Sequence, residues 1–346
     1  MPPEYLDFER PVAELDRRME EILAGPPEDL EETRLKVAAL RAESERVLES
    51  IMAGLTPWQR VQIARHPSRP STLNYLQSIF SDVVELKGDR RFADDQALVC
   101  ALARIDKQSV AVIGHQKGRT TREKIARNFG MPNPEGYRKS IRTMKLAEKF
   151  RLPVVTFIDT PGAYPGLEAE ERGQAEAIAS SLFEMSRLRV PVIVAVTGEG
   201  GSGGALAIGV GDRILMLEHA VYSVISPEGC AAILWKGDPA SKVADATAAL
   251  RMTAADLLSF GVIDEIIKEP PGGAHRDPER MAATLKEAIV RHIGGLKTAS
   301  PEDRVEARYQ KFRKMGVFKE RKTEVSAPAK PRRKAPGGKK GLGANP

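Results

Sequence analysis

Pro153-Val154-Val155-Thr156-Phe157-Ile158-Asp159 runs directly into Thr160-Pro161-Gly162-Ala163-Tyr164-Pro165-Gly166. About forty residues later, Pro191-Val192-Ile193-Val194-Ala195-Val196-Thr197 runs into Gly198-Glu199-Gly200-Gly201-Ser202-Gly203-Gly204. Each apolar run is short, rich in Val and Ile, and bounded by turn residues. Such a run reads as a strand buried on both faces. A helical pattern over 169–187 follows the first, and a small-residue helix over 204–209 follows the second. Strand, Gly-rich turn and helix, twice over, define an α/β fold with parallel pairing.

The pattern extends outward from this pair. Residues 97–105 and 110–116 form a hairpin around Asp106-Lys107-Gln108-Ser109. Residues 134–150 have helical spacing with Pro in the first turn. Short strands are expected at 213–217, 222–224 and 262–267, and helices at about 228–235, 241–251, 254–260, 278–293 and 301–315. Residues 55–96 read as loops and short helices. Upstream, Val12, Leu15, Met19, Ile22 and Leu23 share one helical face, and Leu35, Val37, Leu40, Val47, Leu48 and Ile51 share another. Gly25-Pro26-Pro27 separates the two. This helical hairpin either packs on its own domain or clasps a partner subunit. The expected organisation is an N-terminal helical arm at 1–55, a main domain at 56–318 and a tail at 319–346.

The 346 residues are 42% hydrophobic, enough for a large core. No apolar run approaches the roughly 18 residues of a membrane span, and no secretory or transit segment is recognised at the N-terminus. Cys100 and Cys230 are far apart and too few for a four-cysteine zinc site. A cytoplasmic protein without disulfides is expected, with no membrane association and no bound metal. The net charge of +6 belongs to the tail, since 319–346 holds nine Lys/Arg against two Asp/Glu. Removing that +7 leaves −1 for residues 1–318, which argues against nucleic-acid binding as the main function. The tail has almost nothing apolar to bury and is expected to be disordered. Weak nucleic-acid binding is expected only there.

The two turns set backbone N–H groups at the C-terminal edge of a sheet, where they can hold an oxyanion or a phosphate. Gly203 and Gly204 lack a Cβ, so a ligand oxygen can come close to their N–H groups. The plain alternative is that the glycines only permit a tight turn and close helix packing. A P-loop is a poor match, because Ala205-Leu206 stands where Lys-Ser/Thr is needed. Gly200-Gly201-Ser202-Gly203-Gly204 matches the Gly-x-Ser-x-Gly nucleophile elbow. A hydrolase also needs a histidine, and none of the five falls in a compelling context.

These motifs together resemble a known family. The sequence 159–166 with Glu170-Glu171-Arg172-Gly173-Gln174, the run 198–212, and Tyr222-Ser223-Val224-Ile225-Ser226-Pro227-Glu228-Gly229-Cys230-Ala231 are similar to the carboxyltransferase alpha subunits of acetyl-CoA carboxylase. Gly114-His115-Gln116-Lys117-Gly118-Arg119, Asn128-Phe129-Gly130-Met131-Pro132, Leu6-Asp7-Phe8-Glu9 and Ala64-Arg65-His66-Pro67 agree as well. The resemblance covers about residues 4–318, with an N-terminal hairpin shortened around 25–30 and a tail without family counterpart.

The resemblance implies a crotonase-like (ClpP/crotonase) fold of repeated ββα units. It implies transfer of a carboxyl group from carboxybiotin, borne by the biotin carboxyl carrier protein, to acetyl-CoA. The product is malonyl-CoA, at the first committed step of fatty acid synthesis. Gly203 and Gly204 are the implied catalytic N–H donors, and Gly162, Ala163, Tyr164 and Gly201 line the implied carboxybiotin pocket. Tyr164 either stacks on biotin or packs the turn. The implied assembly is alpha2beta2 with a beta subunit that carries a zinc ribbon, joined by biotin carboxylase in the full ATP-consuming complex. No cofactor is expected to be covalently bound to this chain. His115 and Lys117 are candidates for CoA phosphates or for structural roles. The alternatives are a single-chain acyl-CoA enzyme of the same superfamily and a scaffold subunit without catalysis.

Overall fold

The computed structural model of the chain describes residues 4–25 and 30–317. The basic extension from Lys319 lies outside the described residues, as do Pro26 and Pro27. The described residues up to Met315 belong to one compact unit.

Among the described residues, eight strands form one sheet: β1 (Ser81–Glu85), β2 (Leu98–Ile105), β3 (Gln108–His115), β4 (Val154–Thr160), β5 (Val192–Gly201), β6 (Arg213–Leu217), β7 (Val221–Ser223) and β8 (Glu265–Ile267). The order is β1-β2-β3-β4-β5-β6-β8. The expected hairpin is β2–β3, paired from Leu98↔His115 to Ile105↔Gln108. From β3 to β6 the pairing is parallel. Every residue of β4 is buried, which is why Val and Ile dominate it, while its buried polar residues Thr156, Asp159 and Thr160 each find hydrogen-bond or ionic partners. On the edge away from β4, β5 is long enough to take two neighbours. Its first half pairs with β6, and its end, Glu199 to Gly201, pairs with β7.

Helices cover both faces of the sheet. The Pro134–Lys149 and Gln174–Arg187 helices pack together, and Ser181 donates to the Ala207 carbonyl at 2.6 Å. The Pro278–Leu296 helix packs on the Thr72–Ile79 helix. The C-terminal Pro301–Arg313 helix is anchored by buried Arg308, whose Nε and Nη2 reach the two Asp212 carboxylate oxygens at 2.9 and 3.0 Å. Paired and hydrogen-bonded in this way, the two charges are tolerated inside the core.

The helices Arg10–Ala24 and Leu30–Ala53 form the expected pair. Its root is tied to its own chain: buried Glu9 meets Arg276 at 3.0 Å, and the Arg276 guanidinium lies over the Tyr5 ring. Further along, Leu23, Leu30 and Leu35 are exposed.

Several local expectations differ from the structure, among them the strand expected over 262–267, of which only Glu265–Ile267 forms. The helix expected over 169–187 is two, Leu167–Glu171 and Gln174–Arg187, because Gly173 adopts a left-handed φ of 80°. β1 falls in a stretch read as loops and short helices. All five of its residues are exposed, so no alternation marked it. The second Gly-rich segment stays extended through Gly201, and the helix that follows is Ser202–Leu206 rather than 204–209.

Candidate active site at two strand ends

β4 and β5 pair evenly from Val154↔Val192 to Ile158↔Val196, and the next pair is Thr160↔Gly200. Asp159 alone therefore faces three residues, 197–199, and the ladder is broken beneath both turns. Asp159 fills the gap, its Oδ1 accepting the Glu199 N–H at 3.0 Å. Gly198 makes the room, because a Cβ there would lie 2.3 Å from that oxygen.

Lys117, just past β3, ties this junction together. Its Nζ lies 2.8 Å from Asp159 Oδ1 and 2.8 Å from Glu199 Oε2. Arg65 takes the other side of Glu199 at 2.5 Å and reaches Glu228 Oε1 at 2.5 Å. The alternating chain Asp159–Lys117–Glu199–Arg65–Glu228 thus joins segments far apart in sequence. Burial alone would push the Glu199 carboxyl up, but Lys117 and Arg65 outweigh it and hold the group below the usual carboxylate range. Burial alone would lower the Lys117 pKa, but Asp159 and Glu199 outweigh it and raise it. Deeper still, Arg69 pairs with Glu269 through both terminal nitrogens and donates from Nε to the Thr197 carbonyl at 2.6 Å. Burial would raise Glu269, yet Arg69, with His219 beside it, holds it at about 2.

The turns themselves press backbone to backbone. A Cβ on Gly201 would sit 2.1 Å from the Pro161 carbonyl oxygen. One on Gly204 would sit 2.4 Å from Gly162 C and Ala163 N. One on Gly203 would meet nothing nearer than Ile178 Cδ1 at 3.6 Å. Thr160 Oγ1 braces the first turn, lying 2.7 Å from the Gly130 carbonyl and 2.8 Å from that of Gly162. The Tyr164 ring closes over Gly166, where a Cβ would lie 2.4 Å away, and the Tyr164 N–H donates to the Pro132 carbonyl at 3.0 Å. Ser202, the first residue of the short helix, is exposed with a left-handed φ of 51°.

The structure therefore brings Gly162, Ala163, Tyr164, Gly201, Gly203 and Gly204 to one junction. Beside it opens a cavity of about 370 Å³ whose walls include Arg65, Lys117, Arg119, Phe129, Asp159 and Pro161. His115 is not at its surface. It is 1% exposed, and its ring lies beside the backbone of Gly204 and Phe157 with no aligned hydrogen bond. Burial first, then the Lys117 charge, push its pKa down to about 3. A contact from His115 to CoA phosphates is thus ruled out by burial. Arg172 pairs with Glu135 at 2.8 Å and stacks on Phe92, holding the fold rather than a ligand.

Sequence reasoning missed the charged chain under the turns. Its members sit inside the quoted motifs, but nothing in a sequence pairs residue 65 with 199 and 228. Among the described residues no cluster of three or more His, Cys, Asp or Glu is placed to hold a metal ion, and no helix is long and apolar enough to cross a membrane.

Residues 5–316 match the family described as acetyl co-enzyme A carboxylase carboxyltransferase-like. The acetyl-coenzyme A carboxylase carboxyl transferase subunit alpha of Geobacter metallireducens is 60% identical over 91% of this chain and 98% of its own. That of Aromatoleum aromaticum is 54% identical over 92% and 98%. Among solved structures, the transcarboxylase 12S core is similar at 22% identity with a TM-score of 0.51, over 64% of this chain and 42% of that one. The geranyl-CoA carboxylase beta subunit of P. aeruginosa is similar at 18% identity with a TM-score of 0.51, over 74% and 46%. The chain spans less than half the length of those two solved chains, and the likeness to them is one of fold, the crotonase-like fold of carboxyltransferases.

Proposed function

Because the chain belongs to the family of acetyl-CoA carboxylase carboxyltransferase alpha subunits, we propose that the junction of its two Gly-rich strand ends is the carboxybiotin half of a carboxyltransferase site. The chain is one subunit of a multisubunit transferase that forms malonyl-CoA for fatty acid synthesis. Carboxybiotin is the substrate that supplies the carboxyl group, carried on a biotin carboxyl carrier protein. As its N–carboxyl bond breaks, negative charge gathers on the ureido oxygen. The freed nitrogen takes a proton from the acetyl methyl group, and the resulting carbanion attacks the released CO2. No side-chain base from this chain is needed for that exchange.

What this chain contributes is placement. The Gly203 and Gly204 N–H groups meet the developing ureido charge, fixed in advance so that nothing reorganises during the reaction. Gly162, Ala163, Tyr164 and Gly201 form the adjoining wall. Lys117, Asp159 and Glu199 hold the two strand ends at a fixed separation where the ladder is broken. The observation that carries this reading is the room at Gly203, where a Cβ would make only ordinary contact with Ile178, in a turn whose other glycines are cramped. The acetyl-CoA half of the site, and the zinc ribbon, belong to a beta subunit in an alpha2beta2 assembly that works with biotin carboxylase in the cytoplasm.

The test is reconstitution with a beta subunit, carboxybiotin on the carrier and acetyl-CoA. Gly203→Val is expected to leave assembly intact and to cut the transfer rate by about 10²–10³, the usual loss for one such donor. Normal turnover in the assembled variant would overturn the assignment.

A further inference from the structure

The short helix Thr121–Ala126 stands at the mouth of the cavity beside the turns. It is well capped: Thr120 Oγ1 accepts the Glu123 N–H, and Glu123 accepts the N–H groups of Arg119 and Thr120. Beyond it Asn128 and Phe129 hold left-handed φ values of 44° and 55°. This conformation costs energy in a non-glycine residue, and here it leaves the Phe129 ring 51% exposed at the cavity wall. Ile125 is 65% exposed nearby in sequence.

Residues 119–127 carry Arg119, Arg122, Lys124 and Arg127 against Glu123 alone. Arg119 is spent on Asn74 and Arg127 on the Gln96 carbonyl. The Arg122 and Lys124 side chains form no hydrogen bond or ion pair among the described residues. The segment therefore offers two bulky apolar side chains amid uncommitted positive charge, on a body whose net charge is −1. An apolar centre with a charged surround is how protein interfaces are built. A small ligand would use the residues that line the cavity. It has no use for Arg122 and Ile125, which lie outside that lining.

We propose that the 119–129 segment is a docking rim for an acidic protein domain that delivers its arm-borne biotin into the adjoining cavity. The inference rests on the carboxyltransferase reading of that cavity and adds where the carrier sits. The positive rim speeds encounter with an acidic carrier, while Ile125 and Phe129 supply the apolar contact.

The test uses the assembled alpha–beta complex and runs transfer backwards, from malonyl-CoA to biotin. Two acceptors are compared: biotin on its carrier domain, and biocytin, which is biotin on a single lysine. In Arg122→Glu with Ile125→Ser, the KM for the carrier domain should rise at least about tenfold. The rate at saturating carrier, and both constants for biocytin, should stay at wild-type values. Carrier KM should increase with salt in the wild type and respond little in the variant. The single Ile125→Ser change, on the solvent face, is a second and milder variant and should raise carrier KM a few-fold. An equal fall with both acceptors, or no change with either, overturns the docking rim. A wild-type complex that carboxylates neither acceptor overturns the activity reading first, and the rim with it. Wild-type transfer to biocytin alongside unaltered carrier KM in both variants overturns the rim alone.

Discussion

The two Gly-rich turns stand side by side at the ends of β4 and β5 and are held in shape by different means. The first, 159–166, is held by hydrogen bonds: Thr160 to its neighbours, the Tyr164 N–H to Pro132, and Gln174 Nε2 to the Pro132 and Tyr164 carbonyls at 2.9 Å each. A Cβ on its Gly162 would meet nothing within 4 Å. The second, 198–204, is held by the absence of side chains. Gly198, Gly200, Gly201 and Gly204 each have a neighbour within 2.5 Å of where a Cβ would stand. Only Gly203 in this run has room. Glycines that look equivalent in a motif therefore have separate causes. Gly201 and Gly204 are bare because the two strand ends must touch, Gly198 because the Asp159 carboxylate fills its place, Gly200 because the Tyr222 ring does, and Gly203 for a reason that packing does not supply.

The largest expected effect follows from that contrast. Gly204→Val drives a side chain into the backbone of Gly162 and Ala163, and backbone has little freedom to yield. Overpacking typically costs about 1–3 kcal/mol, and more where the neighbour is rigid. The variant should melt well below the wild type and assemble poorly, whereas Gly203→Val should melt near it. Matching melting curves for the two variants would erase the distinction between the turns' glycines.

A smaller effect is expected at the joint between the turns. Lys117→Met removes the cation shared by Asp159 and Glu199. The strand ends then lose their electrostatic tie but keep their packing. The turnover number should fall about tenfold or more, with KM for acetyl-CoA nearly unchanged, because donor placement and not substrate binding is disturbed. Without Lys117 the Glu199 carboxyl is no longer held as low, so its protonation begins at higher pH. The acid limb of the rate profile should move upward accordingly, and Lys117→Arg should restore part of both. A change in KM alone would make Lys117 a substrate contact instead of a positioning residue.

How strongly the sequence marks each of these features has a physical basis. β4 and β5 are legible because burial on both faces leaves short runs dominated by Val and Ile and ended by turn residues. The Gly-rich segments were legible as a site because a bare backbone at a strand end is chemically distinctive. β1 was hidden because Ser81-Asp82-Val83-Val84-Glu85 is exposed throughout and carries no burial signal. The broken helix at Gly173 was hidden because a single glycine is compatible with either continuation or a left-handed stop. The bulge opposite Asp159 and its ion pairs are tertiary facts. They depend on register, and register between β4 and β5 is not written in either strand alone.

The smallest expected effect concerns Ser202, and it tests whether the second turn is a nucleophile elbow. The geometry itself favours one: a Gly-x-Ser-x-Gly run at a strand-to-helix turn, with the serine at a left-handed φ of 51° and exposed. What an elbow requires beyond this is a base, and each of the five histidines is engaged or buried elsewhere. His66 stacks on His275 at 3.9 Å, and His219 contacts Arg60. His292 pairs with Glu265 on β8, two strands across from β5. His115 is the nearest to the turn, but it lies sealed beside the Gly204 backbone with its pKa pushed down to about 3. A hydroxyl without a base is a poor nucleophile. Ser202→Ala should therefore change carboxyl transfer by less than about threefold, and a serine-directed phosphonate should not label the wild type. Ser202→Gly should relieve the left-handed backbone and raise stability by roughly 1 kcal/mol. Stoichiometric phosphonate labelling at Ser202 would reverse the comparison, making the cramped turn a site of covalent chemistry and the open face over Gly203 its oxyanion hole.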